Sequence, residues 1–200
     1  MPESRSTALE FVCALHPTVP PSAPSAPLLD DTTLAALAVL FDARRDILEK
    51  ALLLLDHARI VLVVENNAST DCLVSPPTHG YALMYGSADA GFASASPGSR
   101  MVVESLDDLT ALDLVFPWTQ QQQQQNHRQW SEYRAVCRLD GRHCSCVTFE
   151  QRVLLRRDLG ICHHILAAHL ARLTETAAIV SLPAACYAEF CYRWLLAGKE

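Results

Sequence analysis

The sequence predicts an α+β fold: a small antiparallel sheet packed with helices, closed near its C-terminus by a metal-stapled finger and interrupted by long disordered insertions. Three observations carry this expectation. Leu-rich segments around residues 34–41 and 44–57 repeat apolar residues at helical spacing. The run Arg59-Ile60-Val61-Leu62-Val63-Val64-Glu65 is almost unbroken β-branched and aliphatic sequence, as in a strand covered on both faces. Cys144-Ser145-Cys146, fifteen residues, and then Cys162-His163-His164 complete the set. This array offers three thiolates and an imidazole, the donors that close a tetrahedral structural metal site.

In chain order, residues 1–27 read as a flexible segment. Met1 to Leu15 lacks the long apolar core of a secretory leader. Five prolines between residues 16 and 27 then exclude regular hydrogen-bonded structure. Residues 28–105 form a helical pair plus strands with a mobile insertion. Asp30 or Asp31 caps a helix through Leu34, Leu37, Leu40 and Phe41. A second helix runs from about Arg44 to His57, with Leu48, Leu52 and Leu55 on one face as core. Arg59 to Glu65 is the first strand, with Asn66-Asn67 as its exit, and Met101-Val102-Val103 is a shorter one.

The stretch from Asn66 to Ser99 reads as an insertion, with Gly, Ala and Ser dominating residues 86–100. Residues 106–130 form a low-complexity insertion around the tract Gln120 to Gln125, flanked by Trp118 and Trp130. Gly86 to Arg100 and the Gln tract are both expected to be mobile.

Residues 131–200 form the finger and a terminal helix. Tyr133 to Leu139 alternates as a strand, and Leu139-Asp140-Gly141-Arg142 carries the Asp-Gly turn signal that would return the chain with Cys144 and Cys146 on one side. Gly160 supplies a reversal. Cys162 to Arg172 then reads as a helix with Ile165, Leu166, Leu170 and Leu173 at three- and four-residue steps. A thiolate in its first turn gains from the positive end of the helix dipole. Pro183 opens a last helix whose Tyr187, Phe190, Cys191, Trp194 and Leu195 form an apolar band, expected as a lid over the finger in preference to a partner-docking surface.

Cys144, Cys146, Cys162 and His164 are the candidate ligands of a Zn2+ ion. His163 and His143 compete for the fourth position, and His169 lies nearly two helical turns beyond Cys162; the two-residue step from Cys162 favours His164. The remaining cysteines, Cys13, Cys72, Cys137, Cys186 and Cys191, read as small apolar residues. With no leader, metal ligation is expected over a disulfide framework.

The array Cys-x-Cys…Cys-x-His-x-x-Ala, with Ala167 as its last member, resembles the SWIM-type zinc finger, most closely over Gly160 to Ala167. The order of helical pair, strand, finger and short helical tail resembles the SWIM-domain subunits of the Shu complex, over about Leu28 to Val64, Arg100 to Ser105 and Glu132 to Trp194. That resemblance implies a non-catalytic zinc-binding subunit that assists homologous recombination in the nucleus. It would bind a RecA-like recombinase paralogue and reach DNA through the complex.

Composition agrees with an indirect role. The formal net charge is -6 and the isoelectric point about 5.7, so there is no broad basic face for phosphate neutralisation. Residues 138–158 hold five arginines against three acids, the one region from which direct DNA binding, the alternative, could be argued. No apolar run approaches the roughly twenty residues of a membrane span, and a soluble chain is expected. Neither a Walker-type phosphate loop nor a dinucleotide glycine fingerprint occurs. Metal-bound sulfur is occupied and no acidic orienter stands in a recognisable motif beside it, so no enzymatic activity is expected.

Overall fold

The computed structural model describes residues 29, 31–66, 80–86, 98–104 and 135–197. The segment 1–27, the Gln tract, Trp118, Trp130, Cys13, Cys72 and the side chains of Trp194 and Leu195 lie outside the described residues.

Helix α1 (Asp31–Leu40) leads through a single 3₁₀ turn into α2 (Arg45–His57), and α2 runs directly into strand β1 (Ala58–Glu65). β2 (Tyr81–Gly86), β3 (Arg100–Val102) and β4 (Ala135–Arg138) follow, then a π-helical segment (Phe149–Leu155), α3 (His163–Leu173), β5 (Ala178–Leu182) and α4 (Ala184–Ala197). One five-stranded sheet results, in the order β3-β5-β1-β2-β4.

The class is α+β as expected, but the sheet is mixed rather than antiparallel. β1 pairs antiparallel with β2, and β2 with β4, whereas β5 lies parallel to both β1 and β3. The chain turns tightly between α3 and β5: Glu175 sits at φ 54, with Glu175 N–H donating to the Arg172 carbonyl and Thr176 N–H to that of Ala171. This Schellman closure ends α3 and turns the chain back into the sheet. Strands that run in the same direction need a crossover between them, and α3 supplies it between β4 and β5.

Part of the expected insertion between Asn66 and Ser99 is a strand at the interior of this sheet. β2 is paired on both sides, from Ala58↔Gly86 to Val63↔Tyr81 on one edge and from Tyr81↔Arg138 to Met84↔Ala135 on the other. Gly80, at its entrance, is required by close approach: a Cβ there would lie 2.8 Å from the Val63 carbonyl oxygen and 3.1 Å from Leu139 Cδ1.

The pleat sends alternate residues of β1 into two separate cores. Ile60, Leu62 and Val64 meet Ala82, Met84, Ala135 and Cys137 under α2 and α3. Val61 and Val63 meet Leu83, Val136, Ala178, Val180 and Leu182 under Cys186 and Phe190 of α4. The continuous apolar run of β1 is therefore covered on both faces, as its sequence predicts. On α2 the buried stripe is Ile47, Leu48, Ala51 and Leu54, with Leu52 and Leu55 only half-buried. It is rotated from the expected Leu48/Leu52/Leu55 face because α2 packs on α3 as well as on β1. α4 sits on the sheet face opposite α2 and α3, so its band does not cover the finger.

Candidate metal centre

β4 and the chain after it build the first half of the centre. Gly141, at φ 73, permits the turn, and Asp140 fixes it: Oδ1 accepts from the Arg142 N–H at 3.0 Å while Oδ2 pairs with the Arg138 guanidinium at 2.6 Å. The returning strand is held by Arg138 N–H to the His143 carbonyl and Ser145 N–H to the Val136 carbonyl. Ser145 Oγ also accepts from Val136 N–H at 3.0 Å, so the residue between the two cysteines locks their register. Cys144 thereby pairs with Cys137 across the hairpin.

After Cys146 the backbone coils at once. Phe149 N–H donates to Cys146 Sγ at 3.3 Å, and the Cys146 carbonyl accepts from Phe149 and Glu150. The π-helical segment that follows carries Arg152, which joins Asp158 at 3.2 Å and Asp46 of α2 at 3.5 Å. Exposed pairs of this kind contribute little stability, but they link the loop to α2. Cys162 is the N-cap of α3, with extended φ and ψ of -92 and 163, and His164 lies in the first turn. Nine consecutive α3 residues, His163 to Ala171, are buried. Burial all round is what a helix with apolar residues on every side requires.

These two halves bring Cys144, Cys146, Cys162 and His164 together: one ligand atom from each lies within 4.8 Å of the other three. Cys144, Cys162 and His164 are buried and Cys146 half-buried. The cluster can hold a metal ion. Its electrostatics point the same way. Hydrogen bonds from the Cys144 and Cys162 thiols hold Cys146 far below the usual thiol range. Cys144 is pushed up by its hydrogen bonds with Cys137 and Cys146, and Cys162 by burial and then by Cys144 and Cys146. Three sulfurs this close share one favoured thiolate; making all three anionic requires a cation among them.

The competing histidines fall elsewhere. His143 is exposed, with its ring 6.2 Å from that of Phe149. His163 lies against His164 at 4.0 Å between ring centroids, the planes tilted by 38°, and its Nδ1 is buried with no hydrogen-bond partner among the described residues. Burial, then the His164 charge, lowers its pKa to about 4. His169 hydrogen-bonds the Leu139 backbone, tying α3 to the hairpin, and burial followed by Arg172 lowers it to about 4.

Cys137 is the residue that the sequence reading undervalued. It is fully buried, as a small apolar residue would be, yet its Sγ lies 3.4 Å from Cys144 Sγ, in hydrogen-bond contact with it. Its seven-residue offset from Cys144 across a two-stranded hairpin was the available signal. No family model, curated protein or solved structure matches the chain.

Proposed function

We propose that the chain is a non-catalytic, zinc-stabilised assembly subunit, in which Cys144, Cys146, Cys162 and His164 hold one Zn2+ ion. The observation that carries this reading is the convergence of four donor atoms within 4.8 Å. Tetrahedral zinc with bonds of about 2.3 Å to sulfur and about 2.0 Å to nitrogen needs donors separated by about 3.5 to 3.8 Å, which such a cluster meets by small side-chain rotations. Three thiolates and one imidazole fill the coordination shell, so the ion staples the hairpin to α3 and leaves no position for a substrate. Phe149 N–H on the Cys146 sulfur is the kind of outer contact that steadies a zinc thiolate.

The finer reading rests on the SWIM-type array and its likeness to the Shu-complex subunits. The chain would bind a RecA-like recombinase paralogue and assist homologous recombination in the nucleus, touching DNA through that complex. The net charge of -6 supports protein-mediated over direct DNA contact. Affinity purification from cells, with the co-purifying chains identified and zinc measured on the same sample, tests both levels. Zinc at one ion per chain with a RecA-like protein is the expected result. A metal-free Cys162→Ser protein that still captures that partner would reject the staple as the basis of binding. Direct DNA binding with a steep salt dependence would favour the alternative, a finger that reads nucleic acid through its arginines.

A further inference from the structure

Four thiols converge on the cluster, and one of them is not in the four-donor set. Cys137 Sγ is 3.4 Å from Cys144 Sγ but is not among the atoms that all lie within 4.8 Å of one another. The backbone pairing explains why it is so near. The hydrogen bonds Arg138 N–H to His143 O and Ser145 N–H to Val136 O flank the Cys137↔Cys144 position on both sides. This makes it a non-hydrogen-bonded antiparallel pair, in which facing Cα atoms stand about 4.5 Å apart and the side chains project together. Disulfides accept Cα separations of about 4.4 to 6.8 Å, so the two sulfurs can join by side-chain rotation while the hairpin keeps its register.

We propose that Cys137 and Cys144 are a redox modification site: Cys137 is a resolving thiol that forms a disulfide with Cys144 when a hydroperoxide oxidises the centre, removing one of the four metal ligands and releasing the ion. The inference rests on the metal-centre reading. Cys146, the half-buried cysteine of the cluster, marks where solvent approaches. The Cys144 thiolate attacks a peroxide oxygen, an S–O bond forms, the O–O bond breaks, and the departing alkoxide takes a proton from water. Cys137 sulfur then attacks the Cys144 sulfenic sulfur; the S–S bond forms, and hydroxide leaves with the Cys137 proton as water. Two electrons from the two sulfurs reduce the hydroperoxide to an alcohol and hydroxide, the hydroxide carrying the negative charge of the Cys144 thiolate. Cys137 suits this role because its sulfur is already in contact with Cys144 while the other thiols are occupied by the metal.

The test uses the full chain, reduced and zinc-loaded, treated with hydrogen peroxide while a chromogenic chelator reports released zinc. Free thiols are then alkylated, and the protein is digested without reduction for mass spectrometry. The expected result is a Cys137–Cys144 linked peptide appearing in step with zinc release, both reversed by a thiol reductant and added zinc. Recovery of alkylated Cys137 from protein that has lost its zinc would overturn the proposal. Cys137→Ser, which keeps a hydroxyl donor beside Cys144, should hold zinc at wild-type stoichiometry and release it several-fold more slowly; release at the wild-type rate would also overturn it. If that variant does not fold, the wild-type peptide map decides alone. Absence of zinc from the untreated protein would instead defeat the proposed function, and the same peptide map on the metal-free chain would still test the pair.

Discussion

The two faces of the sheet are built from the same strands and reach stability by different means. The α4 face is a plain apolar core: Val61, Val63, Leu83, Val136, Val180 and Leu182 meet Cys186 and Phe190. The face under α2 and α3 also has aliphatic packing, but it buries three histidines and the thiols of Cys137, Cys144 and Cys162 with it. Buried polar groups cost stability unless they are satisfied. One face can thus stand on burial alone, while the other concentrates groups that a cation can neutralise and orient. The difference teaches where the fold depends on its surroundings: metal, oxidant and proton should all act on one layer and leave the other nearly untouched.

Removing the proposed metal should be the largest perturbation. Structural zinc contributes roughly 10 to 16 kcal/mol in finger peptides, comparable with or above the usual net stability of a domain. Chelation, or Cys162→Ser, is expected to abolish protection of α3 and hairpin amides in hydrogen exchange before protection of β1 and β5 falls. Simultaneous loss across both faces would show that the layers do not differ in this way.

A matched pair of cavities sharpens the comparison. Leu170 and Leu182 are both 0 % exposed, one on each face. Truncating either to Ala should cost about 2 to 5 kcal/mol, read by denaturant unfolding. Only Leu170→Ala, on the helix that begins at Cys162, should also weaken zinc retention in a competition with a chromogenic chelator.

Acid comes next. His169 is 1 % exposed, and its pKa falls from an ordinary 6.5 to about 4 in the folded chain. The unfolded state therefore binds the proton more readily between these values, and stability is lost as pH drops through that window. The loss is on the order of 2 kcal/mol by about pH 5. His169→Gln should flatten the pH dependence of thermal unfolding between pH 7 and pH 5; an unchanged slope would assign the sensitivity to other groups.

The smallest effect lies at the end of α3. Glu175 occupies the left-handed position of the Schellman turn at φ 54, where glycine carries no steric penalty. Glu175→Gly is expected to stabilise by up to about 1 kcal/mol, seen as a modest rise in melting temperature with zinc content unchanged.

What the sequence disclosed divides along the same line. β1 announced its central place, because a strand covered on both faces must be apolar at every step. The cluster was legible because few residue types can serve as ligands and their spacing had to suit a hairpin and a helix start. β2 was not legible: Ala82, Leu83 and Met84 are helix-favouring residues, and only pairing on both sides makes this segment a strand. Nor was β5, a five-residue segment between helices, one of whose two parallel partners, β1, lies more than a hundred residues earlier. Local propensity holds no record of such pairing, and the mixed sheet follows from it. Cys137 was hidden for a related reason. Its burial was expected, but the sulfur contact depends on the hairpin register that Ser145 and Asp140 enforce.

The central claim is that a single zinc ion joins the hairpin to the start of α3. Its most direct test is zinc K-edge absorption spectroscopy combined with elemental analysis on protein purified without added metal. The expected result is one zinc per chain, with three sulfur neighbours at about 2.3 Å and one nitrogen at about 2.0 Å. Protein that folds with no bound metal, or a shell dominated by oxygen, would contradict it.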